Sequence, residues 1–176
     1  MTVMRVKRSE VVYEGRLVRV RRDVVELGGR ERTREVVEHP GSVVVMPLLG
    51  DRVVAVKQYR HAIGEVLLEL PAGTLEPGER PEECALRELE EETGYTAGAL
   101  EELGSFCASP GYTSEIFFAF LASDLRPSGR GREPWIEVVE IPLRSLLEMV
   151  KVGEIRDSKT ISTIMLYLVK ARLLRF

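Results

Sequence analysis

The chain has 176 residues, of which 25 are lysine or arginine and 28 are aspartate or glutamate, so its formal charge is −3 at pH 7. Apolar residues make up 44% of it, which predicts a globular domain with a hydrophobic core and disfavours disorder and a strongly basic nucleic-acid binder. The longest apolar run, Val43–Leu49, is far shorter than the ~20 residues that cross a bilayer. The first ten residues contain no signal-peptide-like apolar stretch, so we expect a cytoplasmic protein without nucleic-acid or membrane partners.

Residue usage has two further features. The sequence contains no asparagine, one glutamine, and far more arginine than lysine. Depletion of heat-labile amides is typical of thermophile proteins, although GC-rich coding also favours arginine. The two cysteines, Cys84 and Cys107, lack metal-ligand spacing, and we expect two buried thiols rather than a disulfide.

The first part of the chain predicts β-structure. Gly28-Gly29 and Gly50-Asp51 have the composition of hairpin turns, and Pro71 ends the last of these strands. The predicted strands cover residues 11–25, 33–38, 43–49, 53–58 and 66–70.

A helix follows these strands. Pro81 suits its first turn, Gly94 suits its end, and an apolar stripe that includes Ala85 and Leu89 lies between them. The rest of the chain predicts strands over 105–108, 116–121 and 136–141, a polar loop over 125–133, and helices over 143–150 and from the N-cap Ser158 to about Leu174. The fold class is therefore α/β, with a mixed sheet and a helix on either side.

The first predicted helix is strongly acidic. Residues 79–92 include seven glutamates, and at about 100° per residue Glu88, Glu91 and Glu92 share one helix face. Like charges at such spacings destabilise a helix by roughly 0.2–0.5 kcal/mol per pair. Either this is an ordinary acidic surface helix, or the three carboxylates bind a hard divalent cation together with substrate phosphate.

The acidic face belongs to a longer pattern that favours the second alternative. Gly73 is followed after five residues by Glu79, and after seven more by the run Arg87–Tyr95. This pattern resembles the 23-residue signature of the Nudix hydrolases at every position. With ordinary residue usage it arises by chance less than about once in a million chains of this size.

The resemblance implies a Nudix α/β/α sandwich and metal-dependent hydrolysis of a nucleoside diphosphate linked to another group, with Mg²⁺ or Mn²⁺ as cofactor. Glu79 and Arg87 are then expected to brace the loop–helix–loop. The implied metal ligands are three carboxylates and a main-chain carbonyl, from Glu88, Glu91, Glu92 and Ala72.

Segments outside the signature resemble the ADP-ribose pyrophosphatase branch of this family. Ser109–Glu115 is similar to its S-P-G-[FY]-[ST]-x-E segment, and Arg34–His39, Val56–Arg60 and Leu68–Gly73 resemble its upstream segments. The likeness implies a homodimer, because in this branch the N-terminal strands mediate a dimer and contribute to the adenosine pocket. We expect residues 1–40 to form this strand extension and residues 41–176 the Nudix domain; the alternative is that the extension packs on its own domain.

Four residues are candidates for substrate contacts. Arg60 suits a phosphate or the terminal ribose, because a guanidinium pairs bidentately with phosphate. Arg34 suits a phosphate or a base edge, although either arginine is also plausible as a solvated strand residue. Glu69 is expected to accept hydrogen bonds from ribose hydroxyls or to brace its loop, and Gly111 lies in the segment shared with the branch.

The implied reaction converts ADP-ribose to AMP and ribose 5-phosphate, with a carboxylate deprotonating a metal-activated water. The branch often places this base in the loop before the penultimate strand, where Glu133 is the only acid between Pro127 and Pro134. Because the branch usually has more acids there, Glu91 and Glu115 stay as candidates. Two alternative functions are a Nudix pyrophosphatase for another nucleotide, such as a GDP-sugar or a dinucleoside polyphosphate, and an ADP-ribose-binding module without catalysis.

Overall fold

A computed structural model describes residues 4–130 and 132–173 of the chain. The chain divides into two compact units. The first unit runs to Gly41 and includes Cys107–Ile116, and the second contains Ser42–Phe106 and the residues from Phe117 onwards.

The first unit is built on a three-stranded antiparallel sheet. Its strands are β1 (Arg5–Glu14), β2 (Arg19–Leu27) and β3 (Arg30–Glu38), in the order β1-β2-β3. The predicted turn at Gly28-Gly29 is confirmed, and both glycines have positive φ angles, of 58° and 74°. The single strand predicted over 11–25 is wrong, because the chain turns at Gly15, whose N–H donates to the Val18 carbonyl at 3.0 Å.

The second unit contains a mixed sheet with the strand order β10-β5-β4-β9-β8, to which β6 adds beside β5 and β7 beside β4. Strand β4 pairs in parallel with β9 but antiparallel with β5 and β7, so the predicted mixed sheet is confirmed. The strands are β4 (Ser42–Leu49), β5 (Arg52–Arg60), β6 (Glu65–Glu69), β7 (Ala72–Thr74), β8 (Tyr95–Cys107), β9 (Ile116–Pro127) and β10 (Glu137–Pro142).

The long strands extend well beyond the predicted ones. Strand β8 begins at Tyr95, directly after the acidic helix, and β9 continues to Pro127. Much of β8 is exposed, so its polar residues hide the apolar alternation on which strand prediction depends. Strand β7 has only three residues, one of them Gly73, and carries too little pattern to be predicted.

Three helices flank this sheet in the described part of the chain: α1 (Pro81–Thr93), α2 (Leu143–Lys151) and α3 (Ser158–Lys170). Helix α1 ends at Gly94, whose φ of 74° is the left-handed conformation that glycine adopts without strain. Asp157 caps α3, since its Oδ2 accepts from the Thr160 N–H at 2.9 Å, so the predicted Ser158 cap is wrong by one residue. Helix α3 ends at Lys170, so the prediction that it continues to about Leu174 is wrong by about one turn; Leu174 itself lies outside the described residues.

The core has two layers, one on each face of the sheet. Val43 and Val45 of β4 pack with Leu89 of α1 in one layer. The alternate residues Val44 and Met46 pack in the other layer with residues of α2 and α3. Successive strand residues point to opposite faces, so β4 joins both layers and the sandwich is confirmed.

The two cysteines differ in their exposure to solvent. Cys84 is buried but Cys107 is exposed, so the expectation of two buried thiols is wrong for Cys107, and both thiols are free. No helix in residues 4–130 and 132–173 is both long and apolar enough to cross a membrane.

Candidate active site

The acidic face of α1 is divided between the interior and the solvent. Glu92 is 5% exposed and the Glu88 side chain 13% exposed, whereas half of the Glu91 side chain faces solvent. Burying a carboxylate costs free energy, because the group loses its hydration and must find hydrogen-bond donors or cations in the protein instead. Two carboxylates that point inward from one helix are therefore unusual.

Glu92 has lost most of its hydration. Its pKa is raised to about 8, chiefly by burial; the charges of Glu88 and Glu133 contribute to the increase, and a hydrogen bond from Ala72 and the charge of Arg60 oppose it. That hydrogen bond runs from the Ala72 N–H to Glu92 Oε2 at 3.0 Å. The last turn of α1 is therefore tied to strand β7, where the expected carbonyl ligand lies.

Glu88 lies directly against Gly73 of the same strand. A Cβ atom built on Gly73 would overlap the Glu88 carboxylate, so only glycine allows this approach. Burial raises the pKa of Glu88, while Arg87 lowers it and the charges of Glu91 and Glu133 add to the increase. The charge of Glu133 thus acts on both Glu88 and Glu92, and the charge of Glu88 acts on Glu92 as well.

Arg87 is the cation that balances part of this charge. Its Nη1 donates to Glu88 Oε1 at 2.7 Å and to Glu91 Oε2 at 3.1 Å. Its Nε and Nη2 donate to the two oxygens of Glu79 at 2.8 and 3.0 Å, which lowers the pKa of Glu79 to about 2. Glu79 and Arg87 thus form the expected brace between the loop and the helix.

The donor set fits a hard divalent cation. Glu88 and Glu92 offer carboxylates beside strand β7 whose pKa values are raised chiefly by burial, and a bound divalent cation would favour their charged forms. In residues 4–130 and 132–173, no three acidic, histidine or cysteine side chains are already arranged around a common point. Glu91 is turned to Arg87 instead, and its exposure leaves room for another rotamer.

The loop that carries Glu133 is attached to the end of α1 through main-chain atoms. The Ser128 N–H donates to the Gly94 carbonyl at 2.8 Å, and the Glu133 N–H donates to the Glu91 carbonyl at 3.0 Å. The half-buried Glu133 is close enough to Glu88 and Glu92 to raise the pKa of both. The structure therefore brings this predicted base to the acidic face.

Arg60 and Glu69 form a bidentate pair on the neighbouring strands β5 and β6. Arg60 Nε and Nη2 donate to Glu69 Oε1 and Oε2 at 2.8 and 2.5 Å. Glu69 is 1% exposed and also accepts a hydrogen bond from Lys159, a contact that the sequence did not predict. The only sequence signal for Lys159 is its place next to the start of the last helix.

The other predicted site residues lie in the first unit. Arg34 is an exposed residue of β3 whose Nη1 donates to the Thr33 carbonyl at 2.9 Å. Gly111 is exposed in the segment after β8, and Glu115 Oε1 lies 3.8 Å from His39 Nδ1. That segment is attached to β3, because the Ser114 N–H donates to the Val37 carbonyl at 3.0 Å.

Comparison with known proteins gives the same family as the sequence motif. Residues 38–161 match the NUDIX domain. The chain is 40% identical over 158 residues to an ADP-ribose pyrophosphatase of Bacillus subtilis (strain 168), covering 86% of this chain and 85% of that protein. It is 39% identical over 160 residues to a methanol dehydrogenase activator of Bacillus methanolicus, covering 88% and 86%.

A solved structure matches nearly the whole chain. The crystal structure of an ADP compounds hydrolase superposes with a TM-score of 0.82 and 28% sequence identity. The match covers 97% of this chain and 94% of that one. The likeness therefore includes the N-terminal strands as well as the sheet that carries the acidic helix.

Proposed function

Because the chain belongs to the Nudix family, we propose that it is a pyrophosphohydrolase that cleaves the pyrophosphate of ADP-ribose to AMP and ribose 5-phosphate. The observation that carries this proposal is the pair of inward-facing carboxylates of Glu88 and Glu92 beside the loop of Glu133, with Arg60 close enough to Glu92 to lower its pKa. The near full-length similarity to an ADP-ribose pyrophosphatase supports the choice of substrate.

The cation site in this proposal is formed by α1 and β7. Glu88, Glu91, Glu92 and the carbonyl of Ala72 would hold Mg²⁺ or Mn²⁺, which supplies charge neutralisation of the diphosphate and acidifies a water. Gly73 lets the Glu88 carboxylate approach the strand. Arg87 donates to both Glu88 and Glu91 through one nitrogen, Nη1, so these two carboxylates share one cation.

The proposed general base is Glu133. Its main-chain bond to Glu91 fixes the loop beside the acids of α1, which places Glu133 near the carboxylates of Glu88 and Glu92. Glu91 itself is the second candidate, although its carboxylate is paired with Arg87 in this structure. Glu115 is the third, and its support is the sequence resemblance.

The proposed phosphate ligand is Arg60. Glu69 binds its Nε and Nη2, which leaves Nη1 outside the pair and able to donate to a phosphate oxygen. Because Glu69 is buried with both oxygens occupied, we assign it to holding Arg60 rather than to ribose binding. Arg34 and Gly111 stay predictions that rest on resemblance.

The substrate is tested by comparing two rates in the presence of Mg²⁺. We expect AMP release from ADP-ribose to exceed GMP release from GDP-mannose, and a chelator to stop both reactions. A turnover of GDP-mannose that is tenfold higher would make the enzyme a GDP-sugar pyrophosphatase. Calorimetric binding of ADP-ribose without any metal-dependent product would instead indicate a binding module.

The acidic cluster is tested by the substitution Glu92→Gln. The variant keeps an acceptor for the Ala72 N–H, so it should fold, but it loses a cation ligand and its kcat should fall by at least about 100-fold. Glu82→Gln, in the exposed first turn of the same helix, is the matched control and should keep full activity. Near-normal activity of Glu92→Gln would remove the metal assignment.

We also propose a homodimer and a cytoplasmic location. Strand β1 is exposed along its whole length and presents Val6, Val11 and Tyr13 to solvent, and a second copy of the chain would cover such an edge. The free thiols Cys84 and Cys107 are typical of a reducing compartment.

A further inference from the structure

Lys159 is a buried cation outside the acidic cluster. It lies in the first turn of α3, and only 7% of the residue is exposed. Its Nζ donates to Glu69 Oε2 and lies 2.9 Å from Asp157 Oδ1. A buried ammonium is costly unless it is paired, and here two carboxylates pair with it.

The start of α3 also forms a hydrogen bond with the backbone of Leu70, the residue that follows Glu69. Thr160 Oγ1 accepts from the Leu70 N–H at 2.8 Å and donates to Asp157 Oδ2 at 2.6 Å. Asp157 therefore caps the helix, positions Thr160 and pairs with Lys159. Both the side chain of Glu69 and the backbone after it are attached to one helix end.

We propose that Lys159 is a positioning residue that acts through Glu69 to present Arg60 to the substrate. The buried Glu69 carboxylate needs more than one cation, and Lys159 supplies one of them. Arg60 is then held by two of its nitrogens while Nη1 stays outside the pair. Without Lys159, the buried Glu69 carboxylate keeps only Arg60 as a cationic partner among the described residues, and Arg60 is drawn towards it and away from the phosphate. This proposal rests on the proposed function, in which Arg60 binds a phosphate.

The test is a double-mutant cycle between Lys159→Met and Arg60→Met. KM for ADP-ribose is measured, together with the Kd of a non-hydrolysable α,β-methylene analogue by calorimetry. We expect Lys159→Met to raise both by about tenfold while kcat changes less than about threefold. The double variant should bind no more weakly than Arg60→Met alone, because Lys159 acts through Arg60.

The control variant is Lys151→Met, which removes an exposed lysine that pairs with Glu148 at the end of α2 and should leave KM unchanged. If Lys159→Met does not fold, the same KM and Kd are measured for Lys159→Arg instead. Its planar head keeps the charge but not both contacts of the ammonium, so KM should rise by about threefold.

Three results would overturn the proposal. They are an unchanged KM and Kd in the folded variant, a loss confined to kcat, and effects of the two substitutions that simply add. If the wild-type protein itself releases no AMP and does not bind the analogue, the proposed function fails instead. The two failures are therefore separable within one set of measurements.

Discussion

Arg87 connects more carboxylates than one guanidinium usually does. It contacts Glu79 through two nitrogens and shares its Nη1 between Glu88 and Glu91. The bidentate contact to Glu79 is the stronger geometry, because the planar fork matches the carboxylate. The weaker shared contact leaves Glu88 and Glu91 able to exchange this partner for a divalent cation.

Glu79 is predicted to make the protein sensitive to acid. Its pKa of about 2 lies below the ordinary 4.5, so its stabilising contribution is complete above pH 4.5 and is lost as the pH falls towards 2. Glu79→Gln should therefore lower the free energy of unfolding by about 1–2 kcal/mol at pH 6. The difference from wild type should shrink as the pH falls towards 3, as measured by urea unfolding.

Glu148→Gln is the matched control for this measurement, because Glu148 is a largely exposed acid whose partner is the surface residue Lys151. Its effect on the free energy of unfolding should be within about 0.5 kcal/mol at every pH. A pH-independent cost of Glu79→Gln would show that the side chain contributes packing rather than charge.

Gly73 is predicted to be intolerant of any side chain. In Gly73→Ala the new methyl group would displace the Glu88 carboxylate from strand β7. We expect the affinity for Mn²⁺, measured by calorimetry, to fall by at least about tenfold. Circular dichroism should show a folded protein, and unchanged Mn²⁺ binding would mean that Glu88 does not depend on this contact.

The shared helix face of three acids follows from their spacing, but the directions of their side chains do not. The spacing of Glu88, Glu91 and Glu92 identified the acidic face, but helix geometry alone cannot show that Glu91 turns outward to Arg87. Lys159 is 90 residues away from Glu69 in the chain. Only the tertiary structure brings these two side chains together.

Strand β4 is the element on which both layers of the core depend. Its residues Val43 and Val45 pack on the α1 side, where Leu89 is fully buried. Leu89→Ala should lower the free energy of unfolding by about 2–5 kcal/mol, because it leaves a cavity between the helix and the sheet. Leu86→Ala, on the exposed side of α1, is the matched control and should cost well under 1 kcal/mol in urea unfolding. Equal losses would mean that α1 is not packed through Leu89.

At the level of elements, prediction succeeded where the apolar pattern was strong. Buried β4 and the capped helix α1 were predicted to within a residue or so. Besides the missed turn at Gly15, the failures were β7, which has three residues, and β8, whose exposed residues are stabilised by pairing in the sheet rather than by burial. Pairing between strands is a property of the whole fold, and local composition does not encode it.

At the scale of the whole molecule, the exposed strand β1 predicts the oligomeric state. We expect the mass by light scattering to be twice the 19.8 kDa of one chain. Tyr13→Glu places a charge on this strand and should shift the mass to that of a monomer, since an unpaired charge is costly to bury in an interface. Val152→Glu, at the end of α2, also charges an exposed apolar position and should leave the dimer intact. A wild-type monomer would contradict the homodimer.

The loop between β9 and β10 has a further consequence for how related enzymes diverge. Its two anchors, at Ser128 and Glu133, use main-chain N–H groups, which nineteen of the twenty amino acids supply. Substitutions of the exposed Arg130 and Arg132 can therefore accumulate without removing these anchors. The surface charge of this stretch can thus change in evolution while the loop stays beside the acidic helix.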